Sequence, residues 1–158
     1  MKRLFVLALA LLLCLPLSAC GGGGASGGGA SQEHAQGTVA TEVFTMAVAD
    51  GWTVVNSGRT FVELENGSAY FAVSFNQMGF APPPENIPLL SYQIGGHSWN
   101  GFISAEDGDL HVIKAQFSEI PDSYCLVHTR GVTPDAPDVA KMIESITIVN
   151  PDADLPII

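Results

Sequence analysis

Cys125 and His128, a thiol and an imidazole three residues apart, could act as nucleophile and base in the folded part of this 158-residue chain. A thiol becomes reactive when a neighbouring imidazole accepts its proton. Both residues fall in "SYCLVHTRG", whose alternation predicts a strand. Three positions apart on a strand, the two side chains point to opposite faces and make a poor catalytic couple. Cys125 alternates with Val127 and is expected in the core as a small apolar residue. His97, His111 and His128 form a second set. Three imidazoles brought together would suit a transition metal, and His111 and His128 lie on strands expected to neighbour one another. Scattered surface histidines are the alternative. "AEDGDL" offers Glu106, Asp107 and Asp109 as oxygen ligands for calcium. It lacks the spacing and the closing glutamate of a calcium loop, and reads as a charged hairpin turn. There is no H-E-x-x-H, no Cys-x-x-Cys, and no nucleophile elbow set between a strand and a helix.

The stretch with the richest recognition chemistry is "GGHSWNGF", residues 95–102. Glycines on both sides allow close backbone approach, while His97, Trp99 and Asn100 supply stacking and hydrogen bonds. With Phe80 and the proline-rich segment around it, this is the expected interaction surface. A bulged strand with Trp99 packed into the sheet is the competing account.

These residues need a scaffold, and the pattern from Thr38 onward supplies strands. "EVFTMAVADGW" places Phe44, Met46 and Val48 on one face, and "WTVVNS" follows the turn signal Asp50–Gly51. "RTFVELENG" and "AYFAVSFNQ" come next, joined at Asn66–Gly67, with Phe71, Val73 and Phe75 on one face of the second. Four strands joined by such short turns are predicted to pair as an antiparallel meander. Residues 79–91, "GFAPPPENIPLLS", hold three consecutive prolines and predict an extended loop with one helical turn near Asn86–Leu90. Three further strand segments follow, "YQIGGHSWNGFISAE", "DLHVIKAQFSE" and "SYCLVHTRG". The first is divisible at Gly95–Gly96, and "EDGD" turns the chain between the first two. Val139, Met142, Ile143 and Ile146 then recur at helical spacing. Asp135 and Pro137 signal the helix start, Ser145 its end, and "ITIV" a short last strand. The fold class expected is α+β: an antiparallel sheet of about six to eight strands with a C-terminal helix on one face.

The first 37 residues do not belong to that scaffold. Lys2 and Arg3 precede an unbroken apolar run from Leu4 to Leu15, and small residues lead to Cys20. This is the layout of a secretory signal, whose apolar core is too short for a permanent span. Gly21 to Gly37 is dominated by glycine and serine. It behaves as a flexible spacer with an end-to-end distance of roughly 20–25 Å. The organisation expected is a signal over 1–19, Cys20 and tether over 20–37, one domain over 38–150 and a loose tail over 151–158. All sixteen acids but only four of the six bases lie after Cys20, so the mature chain carries a net −12 with histidines neutral. That balance argues against nucleic acid, which demands a basic footprint, and against a domain lying on anionic lipid. Cys14 leaves with the signal and Cys125 is the one cysteine of the folded part, so no disulfide is expected within it.

Two resemblances add to this reading. "LSAC", residues 17–20, resembles the lipobox of bacterial lipoproteins. It implies cleavage after Ala19, a diacylglyceryl thioether on Cys20 and often a further acyl chain such as palmitate. Two or more chains hold a protein stably in a bilayer, at about 0.8 kcal/mol per buried methylene. The segments Phe44–Trp52 and Val139–Val149 resemble the opening and the ending of PsbP-like α/β-sandwich domains, over residues 42–149. Ala49 stands where that family has proline, and the 79–91 loop replaces a longer helical crossover. The resemblance implies a shape and an accessory, assembly or binding role without a common catalytic set. The function expected is a non-enzymatic binding or assembly module, anchored through Cys20 at the outer face of a bacterial cell membrane and needing no cofactor. Its ligand is a protein or small molecule, and no nucleic acid. The alternatives are an envelope hydrolase using His128 or His97 with a nearby acid, and a metal-binding lipoprotein.

Overall fold

The computed structural model describes residues 37–77, 87, 89–104, 106–107 and 109–157. Cys20, Phe80 and the triple proline lie outside them. Among the described residues, no helix is long and apolar enough to cross a membrane.

Seven strands form one antiparallel sheet. β3 (Thr53–Ser57), β4 (Phe61–Asn66) and β5 (Ala69–Gln77) are a meander. β6 (Leu89–Ile94), β7 (His97–Ile103), β8 (His111–Ala115) and β9 (Ser123–Arg130) are a second one. The two join where β9 pairs β5, giving the order β3-β4-β5-β9-β8-β7-β6. A smaller sheet holds β2 (Phe44–Ala47) between β1 (Thr38–Ala40) and β10 (Thr147–Ile148). One helix, α1 (Pro137–Glu144), precedes β10. The fold is thus mostly antiparallel sheet with a short helix near the C-terminus, which bears out the coarse α+β class.

Alternation explains the strands. Val62 and Leu64 of β4, Phe71, Val73 and Phe75 of β5, and Cys125, Val127 and Thr129 of β9 are all buried on one face. β2 lies over that face, with the Phe44 ring 5.1 Å from Phe75. Phe75 then meets Phe117 at 5.6 Å, and Phe117 meets Trp99 at 6.3 Å, so an aromatic chain links both meanders to the small sheet. Such tilted and edge-on pairs suit the ring quadrupoles. Val139, Met142 and Ile143 of α1 enter the same core, as the helical spacing predicts. β6 and β7 meet at Gly95–Gly96, where φ values of 60° and 78° fit a two-residue primed turn that side-chain-bearing residues adopt poorly.

Four expectations need correction. β2 does not continue into the β3–β5 meander: Asp50–Gly51 turns the chain, but β2 pairs with β1 and with β10. The helix N-cap is Ala136, with no side-chain cap bond, so Asp135 does not start it; Pro137 occupies the first turn. Leu89 and Leu90 already belong to β6, so no helical turn covers them. The tail is fastened, because Leu155 is buried and the Gln77 amide donates to the Pro156 carbonyl at 2.9 Å. Ser145 ends the helix as expected: its hydroxyl donates to Met142 O at 2.7 Å and accepts from the Ala47 amide at 2.8 Å.

Candidate functional site

The face of the seven-stranded sheet turned away from β2 carries Glu63, Glu65, Tyr70, His128 and Arg130. Cross-strand register sorts them into rungs, since directly opposed residues share a face. One rung reads Glu65, Tyr70 and Arg130 across β4, β5 and β9. The next reads Glu63, Ala72, His128, Val112, Phe102 and Leu89, across six strands. A third reads Phe61, Ser74, Leu126, Lys114, Asn100 and Ser91. At the end of the first two rungs, beside the β4–β5 turn, a cavity of about 430 Å³ opens. It is lined by Glu65, Gly67, Ser68, Ala69, Tyr70, Leu110, His128 and Arg130. That volume lies within the range of small-ligand sites.

The groups around the cavity differ in how far they are already engaged. Arg130 Nη2 donates to Asp107 Oδ2 at 2.9 Å, and its Nε lies 3.8 Å from Asp109 Oδ1. Glu63 accepts from Asn56 Nδ2 at 3.1 Å. Burial first, then the charge of Glu63 and a hydrogen bond to it, pushes the Tyr70 phenol up; Arg130 opposes that shift and Glu65 adds to it. Burial lowers the His128 imidazole, which favours its neutral form. Lys114, on β8 next to the cavity-lining β9, sits over the Tyr124 ring at 4.6 Å.

The stretch 95–102 does not present its recognition chemistry together. Trp99 is 0 % exposed on the inner face, its indole N–H donating to Ile94 O at 3.2 Å. It is therefore not available to stack on a ligand. His97 faces the same side and stacks on Phe117, with centroids 4.3 Å apart. Asn100 alone of the three is on the outer face, opposite Lys114. Phe80 lies outside the described residues.

The histidines also divide. His111 opposes Thr129 on the inner face, where its Nδ1 is 3.5 Å from the Tyr92 hydroxyl; His128 opposes Val112 on the outer face. The cross-strand histidine pair therefore does not form. Among the described residues, no three of His, Cys, Asp and Glu lie close enough to hold a metal ion. Cys125 is 1 % exposed on the face opposite His128, and burial pushes its thiol well up, as expected for a core residue. Asp107 and Asp109 engage Arg130, in keeping with a structured turn.

Tyr70, Glu65 and Arg130 were not expected at a site. The alternation of "ELEN" and "AYFAV" does place Glu63, Glu65 and Tyr70 away from the core. What brings them to Arg130 is the pairing of β5 with β9, which joins segments nearly sixty residues apart.

No family model matches the chain, and no curated protein matches it. A crystal structure from Bacteroides thetaiotaomicron VPI-5482 is similar over 73% of this chain and 50% of its own, at a TM-score of 0.49 and 14% identity. The chain thus spans half the length of that neighbour.

Proposed function

We propose that the protein is a lipid-anchored, extracytoplasmic binding module of the bacterial envelope. Cys20 carries the acyl chains, residues 21–37 hold the domain clear of the headgroups, and the outer sheet face meets the ligand. The PsbP-like resemblance of residues 42–149 belongs to the same reading. The observation that carries it is the polar cavity on the β4–β5–β9 rungs, reached from the face that β2 leaves uncovered. Its lining mixes a carboxylate, a phenol, an imidazole and a guanidinium with the apolar Ala69 and Leu110, a composition suited to recognition. Of the two histidines of the hydrolase alternative, His97 stacks on Phe117 on the inner face, while His128 lines this cavity together with Glu65.

Two measurements test this. Metabolically supplied palmitate should label the chain, and Cys20→Ser should abolish both the label and sedimentation with envelopes. A photocrosslinker placed at Asn100 on intact cells should capture a neighbour that the same group at Val149, exposed beside β10, does not. Unchanged sedimentation of Cys20→Ser overturns the anchor. Equal capture from both positions overturns the binding face. Ester or amide turnover by the purified chain, lost in His128→Ala, would return the hydrolase alternative.

A further inference from the structure

The outer-face cavity pairs one engaged cation with open acceptors. Arg130 Nη2 donates to Asp107 and its Nε lies near Asp109, Tyr70 lies beside the charge of Glu63, and the Ser68 hydroxyl is a neutral donor in the lining. Its acceptors are open. Neither the Glu65 carboxylate nor the His128 ring has a hydrogen-bond or ion-pair partner among the described residues. Burial keeps His128 neutral, so one of its ring nitrogens presents a lone pair. Glu65 lines the cavity, and Glu63 beside Tyr70 and Asp107 and Asp109 beside Arg130 add three carboxylates next to its lining against the one charge of Arg130, so the local field is negative. The Tyr70 ring adds a π face, and Leu110 an apolar wall. Glu65 and Arg130 stand two strand spacings apart, about 10 Å, with Tyr70 between them. Glu65 is therefore not neutralised from across the cavity.

We infer that this cavity receives an organic cation: an ammonium or guanidinium group on a short apolar stem, donating to Glu65 and His128 and lying against Tyr70 and Leu110. The inference rests on the binding-module reading and names the chemistry of its ligand. A free amine of low molecular weight and the side chain of a lysine or arginine on a partner share that chemistry. A cation next to a carboxylate and over an aromatic ring gains from both. The acidic balance of the mature chain, sixteen acids against four bases, would also concentrate cations near its surface.

Equilibrium dialysis of the full lipidated chain in detergent tests this with four labelled probes. They are 1,5-diaminopentane, an acetylated and amidated Gly-Arg-Gly, 1,5-pentanediol and glutarate. At least one of the two cations should bind while pentanediol and glutarate do not. Binding of the diamine marks a free amine as a sufficient ligand, and binding of the tripeptide alone marks a partner's side chain. Glu65→Gln should weaken the bound cation by about tenfold or more, with an unchanged circular dichroism spectrum and melting temperature. Glutarate binding in place of the cations, equal cation affinity in Glu65→Gln, or no binding by any probe each overturns the inference. A failure here with Asn100 crosslinks intact refutes the cation alone. Loss of those crosslinks with cation binding intact refutes the wider reading instead.

Discussion

Thr129 is a buried hydroxyl without a partner among the described residues, and replacing it should make the protein more stable. Its side chain is 0 % exposed on the inner face of β9, between Phe71 of β5 and His111 of β8, and its Oγ1 accepts and donates no hydrogen bond there. Burying an unpaired hydroxyl costs about 1–3 kcal/mol by mutational measures. Thr129→Val keeps the β-branch and the preferred rotamer, and exchanges the hydroxyl for a methyl of nearly the same shape. The strand loses nothing, since both residues suit a pleated surface. Allowing for imperfect fit of the new methyl, the gain should be about 1 kcal/mol. For a domain of this size that raises the melting temperature by about 3–6 °C. Thr129→Ser is the matched control: it keeps the hydroxyl, deletes the methyl and should lose about 1 kcal/mol. Urea unfolding followed by tryptophan fluorescence reads both, with the m-value checking that the unfolded state is unchanged. Destabilisation by Thr129→Val at constant m would show that the hydroxyl is satisfied in solution, by water or by a ligand, and would refute the reasoning.

Other substitutions probe other terms. A Cβ at Gly101 would stand 2.7 Å from the Ile113 Cα and closer still to the Val112 carbonyl oxygen, both backbone. Gly101→Ala should therefore cost about 3 kcal/mol or more in urea unfolding. Gly67→Ala, with φ at +61° and open space around it, should cost only about 1 kcal/mol; equal losses would refute the steric account. Burial lowers His128, so the unfolded state takes up its proton first. Stability from this group is present above the ordinary imidazole value of about 6.5, falls as pH drops from there to the folded value, and is flat below it. His128→Gln should remove that slope from urea midpoints measured between pH 8 and 5, and an undiminished slope would assign it elsewhere. Cys125 should react with an aromatic disulfide reagent only after denaturation. With Cys20 acylated, the native full chain should then show no fast thiol, and a fast thiol that disappears in Cys20→Ser would count against the anchor.

What could be read ahead of the structure was what depends on period two within a single strand. Val62 and Leu64, Phe71, Val73 and Phe75, and Cys125 with Val127 fall on the core face because a pleated strand admits no other choice once one face is buried. The same rule was enough to divide "HSWN": adjacent residues on a strand face opposite ways, so Trp99 and Asn100 could not both greet one ligand. Pairing was not legible in that way. Asp50–Gly51 announces a reversal but not a partner, and β2 finds its second neighbour in β10, a hundred residues further on. A contact of that range is chosen by core packing, here Phe44 against Phe75, and leaves no local mark.

This difference in range bears on where to look for a site in such a sheet. Chemistry crowded along one strand, as in 95–102, is dispersed by the pleat to two faces. Chemistry spread over distant segments converges when register aligns it, as Glu65, Tyr70 and Arg130 align on one rung with His128 beside them on the next. A one-residue slip of β9 against β5 would turn Arg130 and His128 toward Phe71 and Val73. It would bury a guanidinium in the core, so the burial of Cys125, Val127 and Thr129 is what keeps those two side chains facing outward. The core thus dictates the composition of the outer face. Substitutions that loosen the packing of β9 on β5 should therefore weaken ligand binding without touching a single residue that lines the cavity.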